Sequence, residues 1–281
     1  MYSITPPAVA PQVAYTATVK TVRAKKKRKP YEAATKAVVA CCVSFDGLAS
    51  NNQLHLANAS SFEMKQLETG SMERLYDGPF TKNRGAAPIR ELIKTSARNS
   101  KCPYCGEGTV TELDHYLPKS GFAAITVHPS NLVPCCGDCN REKKAYKPSS
   151  TDPAVLHPYF DDAFSTQWLA AKVCFSPDGL PNISYSIELS SPDAQLESRL
   201  NAHMDVFALK RRFGVWGAQA LSNFTELVRT PSLEMNLFGA RRHLELTAIQ
   251  QSGGQLNSWE GVAHRAMSRS DRYLRRFLGL V

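Results

Sequence analysis

The spacing of apolar and polar positions predicts a helical first third, a short strand-rich middle and a mostly helical remainder. From Tyr31 to Ser100 the apolar period is short and helix-like. YEAATKAVVACCVSF is Ala-rich, and ASSFEMKQLETGSMERLYDG fits a helix interrupted at Gly70. PIRELIKTSARNSK sets Ile89, Leu92 and Ile93 at i, i+3, i+4 behind Pro88, a favoured opening residue for a helix. The polar span between Asn51 and Ser60 reads as a loop. TVTELDH alternates and is rich in Thr and Val, which predicts a strand ending at Asp114 and His115, and NLVP predicts a second, shorter strand. LAAKVCFS and NISYSIELS alternate as strands, with PDGLP as the turn between them. From Ser191, a cap-like residue before Pro192, the pattern is helical again, with Leu196, Leu200, Met204 and Phe207 as a core-facing stripe. RRHLELTAIQQ and WEGVAHRAMSRSDRYLRRFLGLV predict two further helices.

Composition adds boundaries to this picture. The length permits one large domain or two smaller ones. Residues 1–30 read as a flexible basic arm, punctuated by Pro6, Pro7 and Pro11 and closing on Lys25, Lys26, Lys27, Arg28 and Lys29. That run suits a DNA-backbone contact, a nuclear address or a plain solvated tail. Residues 31–100 form a helical region, 101–150 a metal-binding segment, and 151–281 a C-terminal, mostly helical α+β region. No apolar run approaches the roughly 20 residues that span a bilayer, and the N-terminus lacks the order of charged and apolar segments of a secretory signal. The expectation is therefore a cytoplasmic chain without a membrane partner. A net charge of +9 and a pI of about 9.2 favour an anionic partner.

The cysteines carry the first chemical signal. Five of the eight lie between Cys102 and Cys139. CPYC holds Cys102 and Cys105, and CGDC holds Cys136 and Cys139. Two C-x-x-C pairs around a compact insert predict a structural four-thiolate Zn²⁺ site. Cys135 competes with Cys136, but C-x-x-x-C makes a poorer knuckle. Cys41, Cys42 and Cys174 sit in apolar settings and read as buried inert thiols. A helix starting at the second knuckle would put Cys136, Cys139, Asn140 and Lys143 on one face. Asp114 and Asn140 offer hard oxygens suited to Mg²⁺, His115 can take a proton from water, and Lys119, Arg141, Lys143 and Lys144 supply charge for a nucleic-acid backbone. His128 reads as structural or exposed and His157 as a packing residue. Tyr146, Tyr159 and Phe160 read as core-closing, with base stacking as the rival role.

LDHYLPKS and NLVPCCGDCNREK, over residues about 101–148, resemble the HNH endonuclease family in its zinc-stapled ββα-metal form. The resemblance implies His115 as general base and Asp114 as the metal ligand preceding it. It implies Asn131 as the middle Asn that shapes the loop holding the His, and Asn140 as the second metal ligand. HPYFDDAF, soon after the helix, is similar to bacterial HNH proteins of anti-phage defence. The resulting expectation is an α+β protein with a ββα-metal HNH core and a four-cysteine zinc site, embedded in a mostly helical chain. It would be a Mg²⁺-dependent hydrolase of DNA phosphodiesters, leaving a 5′ phosphate and a 3′ hydroxyl. Flanking regions would bind DNA, restrain the nuclease or recruit a regulatory protein or ATPase. Rival readings are a non-catalytic zinc module that binds nucleic acid, and an RNase on the same site. A third is a toxin-like effector held silent by a partner.

Overall fold

Helices and two small antiparallel strand pairs make up the regular structure in the computed structural model, which describes residues 1–229 and 235–280. Two compact units divide it, Ser3–Asp161 and a second formed by Met1–Tyr2 with the chain from Asp162 onward. The boundary differs from the expected one after residue 150. Residues 151–161 close the core of the first unit: Tyr116 Oη donates to Val155 O at 2.6 Å, and the buried Tyr159 donates to Leu132 O at 2.9 Å. Tyr159 is thus a core residue and not a base-stacking platform.

The first unit opens with α1 (Pro11–Lys20) and α2 (Lys25–Ser50). This corrects the flexible arm. Pro11 starts α1, whose Ala14, Tyr15, Thr18 and Val19 are buried, and Tyr15 Oη donates to Tyr31 O at 2.9 Å. An apolar stripe hidden among prolines holds the segment down. The basic run is the exposed first turns of α2, where Arg28 pairs with Glu32 at 2.9 Å. By length and composition α2 is the one helix among the described residues that could cross a bilayer. Its Ala34, Val38, Cys42, Phe45 and Ala49 form a buried stripe, as in a core helix.

The helix expected over 59–78 is mostly absent. Ala59–Phe62 is a single 3₁₀ turn, and helix resumes only at α3 (Ser71–Leu75), followed by a π turn at Tyr76–Phe80. Gly70, at φ +75°, turns the chain into α3 in a conformation other residues resist. α4 (Ala87–Thr95) buries Ile89 and Ile93, while Leu92 is 41% exposed and leaves the predicted stripe. β1 (Glu112–His115) and β2 (Leu132–Cys135) pair antiparallel, with Asp114 opposite Val133 and His115 opposite Leu132. α5 (Gly137–Lys143) follows directly. The core beneath is aromatic, with Phe62 against Phe122 at 5.3 Å and Phe45 against His128 at 5.3 Å. His128 is buried there and bonds Asp46 at 2.9 Å.

In the second unit β3 (Leu169–Phe175) and β4 (Pro181–Ile187) form the expected hairpin. The helical stretch from Ser191 divides into α6 (Ala194–Val206) and α7 (Leu209–Val228), with Ala208 at φ +50° between them. Asp193, not Ser191, caps α6 by accepting from Leu196 N at 2.9 Å. α8 (Leu237–Ser252), α9 (Trp259–Arg269) and α10 (Asp271–Phe277) complete the unit. Where one last helix was predicted, Ser270 breaks the run and caps α10. A Cβ at Gly217 of α7 would lie 3.1 Å from Ile183 Cβ, so this glycine lets the helix sit close on β4. Cys41 and Cys174 are half-buried and only Cys42 is buried, so the sealed setting expected for all three holds for one.

Candidate active site

The two C-x-x-C turns are shaped by their backbones before any ion is considered. Gly106 N donates to Cys102 O and Cys102 N to Gly108 O, each at 2.7 Å, with Gly106 at φ +76°. A Cβ at Gly108 would lie 2.6 Å from Cys136 Sγ, so only glycine admits the second knuckle. Cys136 caps α5, and Cys139 N points at its sulfur at 3.5 Å. The four buried sulfurs of Cys102, Cys105, Cys136 and Cys139 lie within 4.8 Å of one another. Four thiols this close could bind zinc, whose closed structural shells use such a set. Cys135 ends β2 as a buried residue outside the four.

The knuckle reaches directly into the neighbouring cleft. Tyr104, between the first two cysteines, donates to Asp114 Oδ2 at 2.9 Å. Burial, with Asp114 beside it, pushes the Tyr104 phenol well up, so it remains a donor. Lys143 approaches the same carboxylate, with Nζ 3.0 Å from Oδ2 and 3.1 Å from Oδ1, and also donates to His115 O at 2.6 Å. The side chains of Lys143 and Asp114 are 1% and 3% exposed. Lys143 was read from the sequence as a nucleic-acid contact, and the structure corrects this. The i+7 spacing from Cys136 aims it inward, where a buried carboxylate lies across the strand pair.

A cleft of about 550 Å³ opens beside β1, with Glu112, Asp114, His115, Asn140 and Lys144 among its walls. Asn140 Nδ2 donates to Glu112 Oε2 at 2.5 Å. His115 is half-buried, and its Nε2 donates to Thr126 O at 2.8 Å. That bond leaves Nδ1 as the acceptor of the neutral ring. Burial lowers the imidazole to about 4, with the Thr126 bond opposing, so the ring is neutral at pH 7. Tyr76, from the π turn, meets the His115 ring edge-on at 4.3 Å.

The remaining predicted residues divide. Asn131 is fully buried, accepting from Leu117 N at 2.8 Å and donating to Leu117 O and Ile125 O at 3.2 and 3.3 Å. It ties both ends of the loop after His115 and does not line the cleft, so its place is positional and not catalytic. Lys119 lines the cleft and pairs with Asp77 at 2.5 Å. Arg141 lies outside the lining, its head exposed and paired with Asp138. The sequence reading missed Glu112, Tyr104, Tyr76, Arg90 and Lys94. Glu112 stands two before Asp114 on a strand and so shares its face. Arg90 and Lys94 stand at i, i+4 on α4 and add cations to the cleft wall. Tyr76 had no local signal.

No protein-family profile matches the chain, and no solved structure matches it. Over 81% of its length the chain is 24% identical to Protein ea31 of Escherichia phage lambda, covering 81% of that protein. Over 79 residues it is 33% identical to the Septu protein PtuB of Bacillus thuringiensis. That match takes 26% of this chain and 30% of PtuB, so the homology is weak and partial.

Proposed function

We propose that the chain is a metal-dependent endonuclease of the HNH kind, with β1, β2 and α5 as its ββα core and DNA as its substrate. The observation that carries the reading is the His115 ring. It is fixed by Thr126 O, neutral, and set in a cleft that also holds Asp114, Asn140 and the cations Arg90, Lys94, Lys119 and Lys144. The donor set fits a hard divalent ion such as Mg²⁺, because Asn140 and the carboxylates offer oxygen and no thiol. Asn140 and a carboxylate of the cleft would hold the ion, which would supply charge neutralisation for a phosphate and its leaving 3′ oxygen.

His115 does the proton chemistry in this scheme. Its Nδ1 takes a proton from water while Thr126 O steadies the imidazolium that results. Tyr76 limits how the ring can turn. The cleft cations draw the phosphodiester in and offset its charge. Asp114 stays fixed between Tyr104 and Lys143, so the zinc knuckle and α5 jointly set the floor. The partial match to a Septu protein supports an anti-phage role, as the HPYFDDAF resemblance implied. A regulatory protein or ATPase would then serve as the partner that releases activity.

Supercoiled plasmid and structured RNA, each incubated with Mg²⁺ or with EDTA, test the reading. Mg²⁺-dependent cutting of plasmid that Asn140→Ala and His115→Ala abolish is the expected result. Cutting of RNA alone would make it an RNase. Binding without cutting of either, even with phage lysate added as trigger, would favour a non-catalytic zinc module. Cutting that survives His115→Ala would overturn the mechanism.

A further inference from the structure

Asp114 and Glu112 share one face of β1 and both border the cleft, yet their charges are spent differently. Asp114 is 3% exposed and holds an ammonium on both oxygens and a phenol on one. Three of roughly four acceptor sites on that carboxylate are therefore taken. Its negative charge is offset by Lys143 inside the protein. Among the described residues Glu112 makes no ion pair of the kind Lys143 gives Asp114: the nearby Arg141 guanidinium, which shares with Glu112 Oε1 the space beside Gly137, pairs with Asp138 instead. It receives the Asn140 amide on Oε2 and borders the cleft. By giving its nitrogen to Glu112, Asn140 keeps its own Oδ1 for another partner.

We infer that Glu112 is the anionic ligand of the cation site, acting with Asn140 Oδ1, whereas Asp114 is chiefly a fixed part of the floor. The inference rests on the hydrolase reading above. A divalent cation is drawn by net negative charge as well as by oxygen lone pairs. With Asp114 and Lys143 cancelling, Glu112 is the carboxylate left to draw a cation in a cleft whose walls otherwise carry Arg90, Lys94, Lys119 and Lys144. Lys143 then has a second consequence: its ammonium repels a cation near Asp114 and weakens binding.

Mn²⁺ binding to the zinc-loaded full chain, followed by electron paramagnetic resonance, reads this without turnover. Glu112→Gln is the informative variant, because glutamine can still accept the Asn140 amide and loses only the charge. It should bind Mn²⁺ about tenfold more weakly or worse. Glu112→Asp, which keeps the charge on a shorter stem, should recover part of that loss. Lys143→Met should bind more tightly than wild type. Circular dichroism and zinc content confirm that each variant is folded. Glu112→Gln within twofold of a wild type that binds would overturn the inference and leave the hydrolase reading standing. A wild-type chain that takes up no Mn²⁺ at roughly millimolar concentration, where even weak oxygen sites fill, would sink both.

Discussion

Asn131→Ala should loosen the loop that carries the chain away from His115, and the size of the effect follows from its contacts. The side chain is 0% exposed and makes three hydrogen bonds, one accepted from Leu117 N and two donated to Leu117 O and Ile125 O. Alanine removes all three. A typical internal hydrogen bond nets about 1 kcal/mol, and a buried group left without its partner costs about 1–3 kcal/mol. The two donated bonds are long, at 3.2 and 3.3 Å, and count at the low end. The sum is about 3 kcal/mol of local stability, which is roughly a 150-fold rise in the opening equilibrium. Amide exchange at Leu117 reports it directly, because that N–H rests on Asn131 Oδ1 at 2.8 Å. Protection at Leu117 should fall about a hundredfold, while the Cys139 amide inside the thiol cluster changes little. Asn131→Asp should not rescue the loop. It keeps an acceptor for Leu117 N but sets a carboxylate oxygen against two carbonyls. If Leu117 keeps its protection in both variants, the loop is held by something else and the reasoning fails.

Other consequences can be checked separately. Tyr104→Phe removes one buried bond to a charged group, so unfolding measurements should show a loss of about 2 kcal/mol with zinc content unchanged; a neutral result would mean Lys143 alone holds Asp114. Cys139→Ser, or stripping of metal with a strong chelator, should expose the two cysteine knuckles, around residues 102–108 and 136–140, to limited proteolysis, because four buried thiols without an ion leave both turns without their staple; resistance at zero zinc would contradict that. His264 is lowered from its usual value by burial, with Glu260 O partly opposing. The unfolded chain therefore binds more protons than the folded one below about pH 6.5, and stability of the second unit is full above that value and lost as pH falls. Melting from pH 7.5 down to pH 5 should show the decline, and His264→Gln should flatten it; equal slopes in the two proteins would refute the assignment.

The parts legible in the sequence are those whose physics is local. Two C-x-x-C spacings bring sulfurs together because a three-residue turn leaves them little choice, and Gly106 and Gly108 tighten it. The alternation in TVTELDH and the run NLVP located both short strands, although β1 starts three residues later than predicted, at Glu112, and β2 is shifted by one, to Leu132–Cys135. The hairpin of β3 and β4 was announced by PDGLP in the same way. The helix over 59–78 failed because Gly70 does more than interrupt it, and before it only the 3₁₀ turn Ala59–Phe62 forms, packing Phe62 inward against Phe122. The arm failed for the converse reason. Its prolines and lysines outweighed, by composition, the few apolar positions that anchor α1.

Lys143 shows where local reasoning stops. Residue type in CGDCNREKK does not distinguish Lys143 from Lys144, since both are lysines beside a predicted site. Helix phase separates them: Lys143 falls on the face with Cys136, Cys139 and Asn140, while Lys144, at φ +52°, ends the helix and borders the cleft. Phase alone still would not bury an ammonium, because the desolvation cost is several kcal/mol unless a partner repays it. The partner is Asp114, 29 residues earlier and on another element. Burial of the lysine and engagement of the carboxylate are therefore one event that no window of sequence contains. The same event alters the chemistry. A motif reading gives Asp114 to a metal because it precedes His115, whereas the folded chain first gives it to Lys143 and Tyr104. That is why the next carboxylate on the strand face, Glu112, becomes the residue whose charge matters.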